Sequence, residues 1–312
     1  MTTPGLVTVA ASQTTPVFLD REATLQVIEQ DVVTAASAGA QLVVFPEAIL
    51  PGYPDWVWRR PAWSDGQFFA RLADQAVVIP GPATDELAQI ASASGVWVVV
   101  GITEKVRSGT LYNSLLYVAP DGSIAGVHRK LIPTGGERTV WGNGNGPVAT
   151  VIDMGFARVG GLICWENLMP LARAAIYEHD IDIYLAPTWD NSPAWPSTLQ
   201  HIAREGRVFV IGTNTCMHSG DVRRGFPAAF PDADDVYGDE TDWCSQGNTT
   251  LVDPTGAILV GPLTGRSGIL IETFDLDLLV AARREFDPNG HYARPDLLQL
   301  ATRFAQQPQH LL

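Results

Sequence analysis

Residues 159–173 read VGGLICWENLMPLAR, and the stretch changes character at Cys164. An apolar run of strand type leads up to the cysteine. Trp165, Glu166 and Asn167 follow it at once, and Pro170 then opens the helical pattern LMPLARAAIYEHD. Proline suits a first helical turn, where its missing N–H would have no partner anyway. Cys164 therefore stands where a strand gives way to a helix. Such a cysteine is either a small apolar residue finishing a buried strand or a nucleophile held out into a pocket, and buried cysteines are usually the former. The rest of the chain has to decide.

The same alternation of helix and strand recurs along the sequence. In REATLQVIEQDVVTAASAG (21–39), Leu25, Ile28, Val32, Ala35 and Gly39 fall at helical spacing, and AQLVVFPEA follows as a buried strand. TDELAQIASASG (84–95) precedes VWVVVGITEK, LMPLARAAIYEHD precedes IDIYLAPTWD, and TLQHIAREGR precedes VFVIGTN. Two hairpins interrupt these units and echo each other: LLYVAPDGSIAGVHRKL (115–131) and TLVDPTGAILVGPL (250–263), each with a Pro-x-Gly turn. The echo suggests two similar halves. Helix–strand units mixed with antiparallel hairpins predict an α/β fold in which two mixed sheets stack face to face with helices on the outer faces. The result is a four-layer α-β-β-α sandwich. The acidic FPDADDVYGDETDW (230–243) reads as a solvated loop.

Composition narrows the function classes. The chain has 312 residues, 46% of them hydrophobic and 17% charged, and no linker-like stretch divides it. A net charge of −14 disfavours nucleic acid or an anionic membrane as partner. No apolar run approaches the roughly 20 residues of a membrane helix. The opening MTTPGLVTVAASQ lacks the basic region of a signal peptide and alternates like a strand. Cys164, Cys216 and Cys244 are odd in number and far apart, so they read as reduced thiols of a cytoplasmic protein, neither a disulfide frame nor a metal site.

Polar residues stand at the ends of several strands. Glu47 follows LVVFP, Lys130 closes IAGVHRK, Cys164 closes VGGLIC, and Glu137 lies a short loop beyond Lys130 in PTGGERTVW. Strand ends are where α/β proteins aim side chains at ligands. Taken together, VFPEA, HRKLIPTGGER and CWENLMPLAR resemble the signature segments of the nitrilase branch of the carbon–nitrogen hydrolases. IYLAPTWD, HIAREGRVFV and DPNGHYARPDLL extend the likeness over nearly the whole chain. The resemblance implies an αββα sandwich that pairs with a second subunit, a Glu47–Lys130–Cys164 catalytic set, and a single domain over 1–280. The tail, 281–312, would join subunit contacts in a homo-oligomer.

That set is chemically coherent. A free thiol has a pKa of about 8.5 and needs a base or a positive neighbour to attack. Glu47 would take the proton and later activate water. Two carboxylates sharing a pocket with one ammonium cannot both be fully stabilised as anions, so one is expected to rise toward the range of a general base. Lys130, with the backbone N–H of Trp165, would stabilise charge in the tetrahedral intermediate. Losing one such donor costs roughly 3–4 kcal/mol. Glu137 would orient Lys130 in a supporting role.

The expected reaction is hydrolysis of a nitrile through a thioimidate and a thioester, with no metal or organic cofactor. The alternatives are an amidase or carbamoylase using the same set, a Cys–His hydrolase drawing on His128, or a non-catalytic oligomeric scaffold. For the pocket, Tyr53 in PGYPDWVWRRPAW, Trp165 and Trp189 are the candidate substrate-binding walls. Trp56, Trp58 and Trp63 read instead as core or interface aromatics.

Overall fold

The computed structural model describes residues 5–225 and 236–300. Residues 230–235 of the acidic stretch and residues 301–312 of the tail lie outside the described residues.

The first sheet holds β1 (Leu6–Gln13), β2 (Leu42–Val44), β3 (Trp97–Lys105), β4 (Leu111–Val118), β5 (Ile124–Arg129) and β13 (Gly268–Asp275), in the order β13-β1-β2-β3-β4-β5. The second holds β6 (Val151–Asp153), β7 (Arg158–Gly161), β8 (Ile183–Leu185), β9 (Phe209–Gly212), β10 (Cys216–His218), β11 (Trp243–Val252) and β12 (Ile258–Thr264). Its path runs β10-β11-β9-β8-β7-β6, with β12 on β11. Both sheets are mixed, and their orientations match. Along β13-β1-β2-β3-β4-β5 the pairings are antiparallel, parallel, parallel, antiparallel, antiparallel. Along β6-β7-β8-β9-β11-β12 they repeat in the same succession. The echoing hairpins are β4–β5 and β11–β12. The two halves suggested by the sequence are thus present as two sheets of one design.

Helices cover the outer faces because their apolar stripes have nowhere else to go. Leu25, Ile28 and Val32 of α1 (Arg21–Ser37) and Leu87 and Ile90 of α3 (Pro82–Ser94) pack on Val43, Val98 and Leu116 of the first sheet. Ile176 of α4 (Pro170–Tyr177) and Leu199 and Ile202 of α5 (Trp195–Gly206) pack on Tyr184 and Val210 of the second. Between the sheets, Val9, Leu42, Val44 and Val99 meet Val159, Ile183, Leu185 and Ile211 in a dry seam. Leu42 and Val44 face that seam while Val43 faces α1, so β2 is buried on both sides and reads as an unbroken apolar run. The shorter helices are α2 (Gly66–Gln75), α6 (Ser219–Gly225) and α7 (Leu278–Glu285). No helix among the described residues is long and apolar enough to cross a membrane.

A fourth cluster, at one end of the sandwich, gathers Tyr53, Trp56, Phe68, Trp141, Trp189 and Tyr237. Tyr237 is buried with the Arg59 guanidinium over its ring. The described end of the acidic stretch is therefore not wholly solvated: an aromatic residue anchors it to the core.

One glycine fixes the geometry at this end. After β2 the chain crosses β3 so closely that a Cβ on Gly101 would lie 2.2 Å from Pro46 O and 2.8 Å from Glu47 Cα. Backbone cannot yield as a flexible side chain can. Gly101→Ala is expected to lower stability by about 1–3 kcal/mol through overpacking, read from the urea midpoint, and to displace Glu47 with loss of turnover in whatever remains folded.

Candidate active site

Four chain segments end together beside the aromatic cluster. Glu47 lies just past β2, Lys130 is the first residue beyond β5, and Glu137 sits in a 3-10 turn over Gly135–Thr139. Cys164 opens a second 3-10 turn, Cys164–Leu168, following β7. Cys164 and Ala48 both adopt left-handed backbone, with φ of 53° and 46°. For a non-glycine residue that conformation costs on the order of 1–2 kcal/mol. The backbone therefore turns sharply at the cysteine and again just after the glutamate, instead of continuing the strands.

Lys130 is the hub. Its Nζ lies 2.7 Å from Glu47 Oε1 and 2.7 Å from Glu137 Oε2, and all three side chains are buried. Among the described residues, the other hydrogen bonds to the two carboxylates also come from donors. Glu47 Oε1 accepts from Asn113 Nδ2 and Glu47 Oε2 from the backbone N–H of Trp189, each at 2.7 Å. Glu137 Oε2 accepts the N–H of Thr134, and Glu137 Oε1 accepts the hydroxyl of Tyr53, again at 2.7 Å. The glycines of PTGGER permit this: a Cβ on Gly136 would lie 2.7 Å from Val57 O, so the Tyr53–Trp58 segment rests directly on the Glu137 turn.

Proton affinities follow from this burial. Glu47 is raised above the ordinary carboxylate value, mainly by desolvation, which the Lys130 ammonium opposes and Glu137 reinforces. Burial alone would lower Lys130, but the negative charges of Glu47 and Glu137 and the hydrogen bond to Glu137 outweigh it and hold the ammonium protonated. Burial and the Glu47 charge push the Cys164 thiol up, with Lys130 and the Thr188 hydroxyl acting in the other direction. At neutral pH the sulfur therefore keeps its proton, beside a carboxylate with raised affinity for one.

The pocket candidates occupy different positions around this cluster. The Tyr53 ring stacks on Trp189, with centroids 4.4 Å apart and planes 7° from parallel. Its hydroxyl, which donates to Glu137, also accepts from Trp58 Nε1 at 3.1 Å. Trp58 is thus linked to the site, while Trp56 is core and Trp63 is 87% exposed. Trp165 is 49% exposed, and its indole N–H donates to Asp190 Oδ2 at 2.9 Å. His128, on β5, faces Glu166: its Nε2 lies 3.1 Å from Glu166 Oε2, inside the protein.

Sequence reasoning missed three contributors. Glu166 accepts the N–H of Leu131 at 2.5 Å and of Ile163 at 2.7 Å, tying the residue after Lys130 to the residue before Cys164. Asn113 holds Glu47 from β4. The segment Pro187–Asp190 supplies four bonds in succession. Pro187 O accepts the Cys164 N–H at 2.8 Å, Thr188 Oγ1 lies 3.1 Å from Cys164 Sγ, Trp189 N–H holds Glu47, and Asp190 holds Trp165. The available signals were Asn113 interrupting an apolar strand and a proline-then-polar pair after each of β2 and β8.

The sequence model of the carbon-nitrogen hydrolase family matches residues 8–284. An aliphatic nitrilase of Sinorhizobium fredii is 39% identical over 299 residues, covering 93% of this chain and 94% of that protein. Nitrilase 2 of Arabidopsis thaliana is 38% identical over 306 residues, covering 92% and 86%. Among solved structures, a carbon-nitrogen hydrolase from Helicobacter pylori superposes with a TM-score of 0.71 at 20% identity, over 94% of this chain and 97% of that one. An amidase from Nesterenkonia superposes with 0.67 at 20% identity, over 91% and 96%. The chain belongs to the carbon–nitrogen hydrolase family.

Asn113 offers a test of Glu47. The Asn113 amide donates to the ionised carboxylate, and that bond lowers the Glu47 pKa. Asn113→Ala removes it, so the pKa moves further up. For Glu47 to serve as a base it must be ionised, so in that role the acid limb of the kcat/KM profile is expected to move to higher pH, read from initial rates across a pH series.

Proposed function

We propose that this enzyme hydrolyses an organic nitrile to the carboxylic acid and ammonia, with Cys164 as nucleophile, Glu47 as general base and Lys130 as the cationic donor. The observation that carries the reading is the Lys130 ammonium, buried between two carboxylates and close enough to Cys164 to shift the thiol's proton affinity.

The steps balance without an added cofactor. As Sγ attacks the nitrile carbon, the thiol proton passes to Glu47 and the C≡N π pair moves to nitrogen. Nitrogen faces Lys130 and takes back one proton, giving the thioimidate. Water, deprotonated by Glu47, adds to that carbon; the nitrogen, now protonated, leaves as ammonia and a thioester remains. A second water, activated in the same way, releases the acid, and the departing sulfur recovers its proton from Glu47. The N–H of Trp165 opens a helical turn, where no intrahelical acceptor exists. It serves as the second donor to the developing charge. Glu137, bound by Tyr53 and Thr134, fixes Lys130 in the direction the charge develops.

Nitrile is favoured over amide because the relatives named above at 38–39% identity over most of the chain are nitrilases. The likeness to amidases at 20% identity speaks for the fold alone. Trp165, Trp189 and Tyr53 form the walls that receive the substrate's organic group, with Tyr53 acting through its ring face while its hydroxyl stays on Glu137. Ammonia release from matched nitrile and amide pairs tests the assignment: the nitrile is expected to react faster, and Cys164→Ala is expected to lose roughly 10⁴-fold or more of turnover. Faster amide hydrolysis, or turnover retained in Cys164→Ala, would reject it.

The catalytic domain extends to residue 280, and the tail from 281 contributes to self-association. Support comes from exposed apolar side chains at Leu171, Val280, Tyr292, Leu297 and Leu298, several of them in or next to the tail. Three unpaired cysteines fit a reducing, cytoplasmic setting. Light scattering is expected to give a dimer or larger; a monomer mass would refute self-association.

A further inference from the structure

The two sheets share one design, and their correspondence identifies Thr188. β2 and β8 occupy equivalent places, each between parallel neighbours. Beyond β2 the chain reads Phe45-Pro46-Glu47; beyond β8 it reads Ala186-Pro187-Thr188. The backbone repeats as well: Phe45 N–H donates to Val99 O on β3 at 2.8 Å, and Ala186 N–H to Ile211 O on β9 at 2.9 Å. Thr188 therefore stands in the second half where Glu47 stands in the first; its hydroxyl lies against the cysteine whose proton affinity the Glu47 charge raises.

The proton on the Thr188 hydroxyl has a defined direction. A hydroxyl carries one hydrogen and two lone pairs. Thr188 Oγ1 accepts the N–H of Asp190 at 2.9 Å, a group that can only donate. Oγ1 also lies 3.1 Å from Cys164 Sγ, in a fully buried setting. Its hydrogen is thus left for the sulfur. The frame around this bond is fixed. Cys164 N–H is held by Pro187 O, and the Asp190 carboxylate is held by Ser192 N–H at 2.8 Å and by the Trp165 indole.

We propose that Thr188 is a catalytic residue, whose hydroxyl donates a hydrogen bond to Cys164 Sγ and stabilises the negative charge that the sulfur acquires during the reaction. This rests on Cys164 being the nucleophile. Charge gathers on sulfur twice, as the thiol proton leaves for Glu47 and as the thiolate is expelled from the thioester. In the covalent intermediates the sulfur carries no such charge and accepts hydrogen bonds weakly. The bond is therefore strongest in the transition states, where a catalytic contact has to be. In the resting thiol it has a second effect: with one sulfur lone pair engaged by Thr188, the S–H hydrogen is turned away from Thr188 and left free for Glu47.

A purely structural role, holding the turn through the Asp190 N–H, predicts different behaviour, and the pH dependence of thiol alkylation separates the two. The measurement is the rate at which iodoacetamide modifies Cys164 in the intact enzyme, followed by site-resolved mass spectrometry to distinguish it from Cys216 and Cys244. Thr188→Val keeps the shape and removes the donor; Thr188→Ser keeps the donor. For Thr188→Val, alkylation at neutral pH is expected to slow about tenfold or more, kcat to fall by a similar factor with KM little changed, and the alkylation profile to move to higher pH. Thr188→Ser is expected to restore all three, and Thr188→Ala is read in the same way if the valine variant does not fold. A folded Thr188→Val or Thr188→Ala enzyme whose alkylation profile matches wild type would overturn the proposal. Failure of the nucleophile reading itself would show separately, as turnover retained in Cys164→Ala.

Discussion

A positive charge with no access to water is expensive unless its partners enclose it. In this protein Lys130 meets that condition through Glu47 and Glu137, and much of the surrounding structure exists to hold those carboxylates in place. Asn113 and the Trp189 amide complete one; Tyr53 and the Thr134 amide complete the other. Removing Lys130 would leave two adjacent anions in a dry cavity, and removing either carboxylate would leave an undercompensated cation. The cluster is stable as a whole and unstable in parts.

The same confinement sets the chemistry. Burial raises the proton affinity of the thiol and of Glu47 together, which makes the thiol a weaker acid and the carboxylate a stronger base than either is in water. Transfer of the thiol proton to the carboxylate is assisted when something positive or hydrogen-donating receives the charge left behind. In the proposed reaction Lys130 does this on the substrate side. Glu166 contributes indirectly: by holding the amides next to Lys130 and Cys164, it makes their separation a property of one carboxylate and not of two independent loops.

Much of this was legible in the sequence, for identifiable reasons. Helix period followed by an apolar run marked the units around α1–β2, α3–β3, α4–β8 and α5–β9, because each buries a stripe against a doubly covered strand. Glu47, Lys130, Glu137 and Cys164 stood out as chemically distinctive residues at strand ends. Thr188 did not, since a threonine after a proline looks like any turn residue, and its meaning depends on which sulfur lies across from it. Glu166 was hidden because two of its partners are backbone amides, which carry no signature in a sequence, and the third, His128, lies 38 residues away along the chain. Three-residue strands such as β6 and β10 gave too few alternations to register, and the pairing of Leu6 with Asp275 joins opposite ends of the described chain, beyond the reach of any local pattern.

The pairing of β1 with β13 has a consequence for how the enzyme comes into being. Glu47 and Lys130 extend from one sheet and Cys164 from the other, while the strand that completes the first sheet is the last in sequence among the described residues. A ribosome-bound chain that has already produced all three side chains still lacks β13 and the finished seam between the layers. The first sheet is therefore completed only after Glu47, Lys130 and Cys164 have all been made, and a product shortened before β13 carries those residues without the strand that pairs with β1.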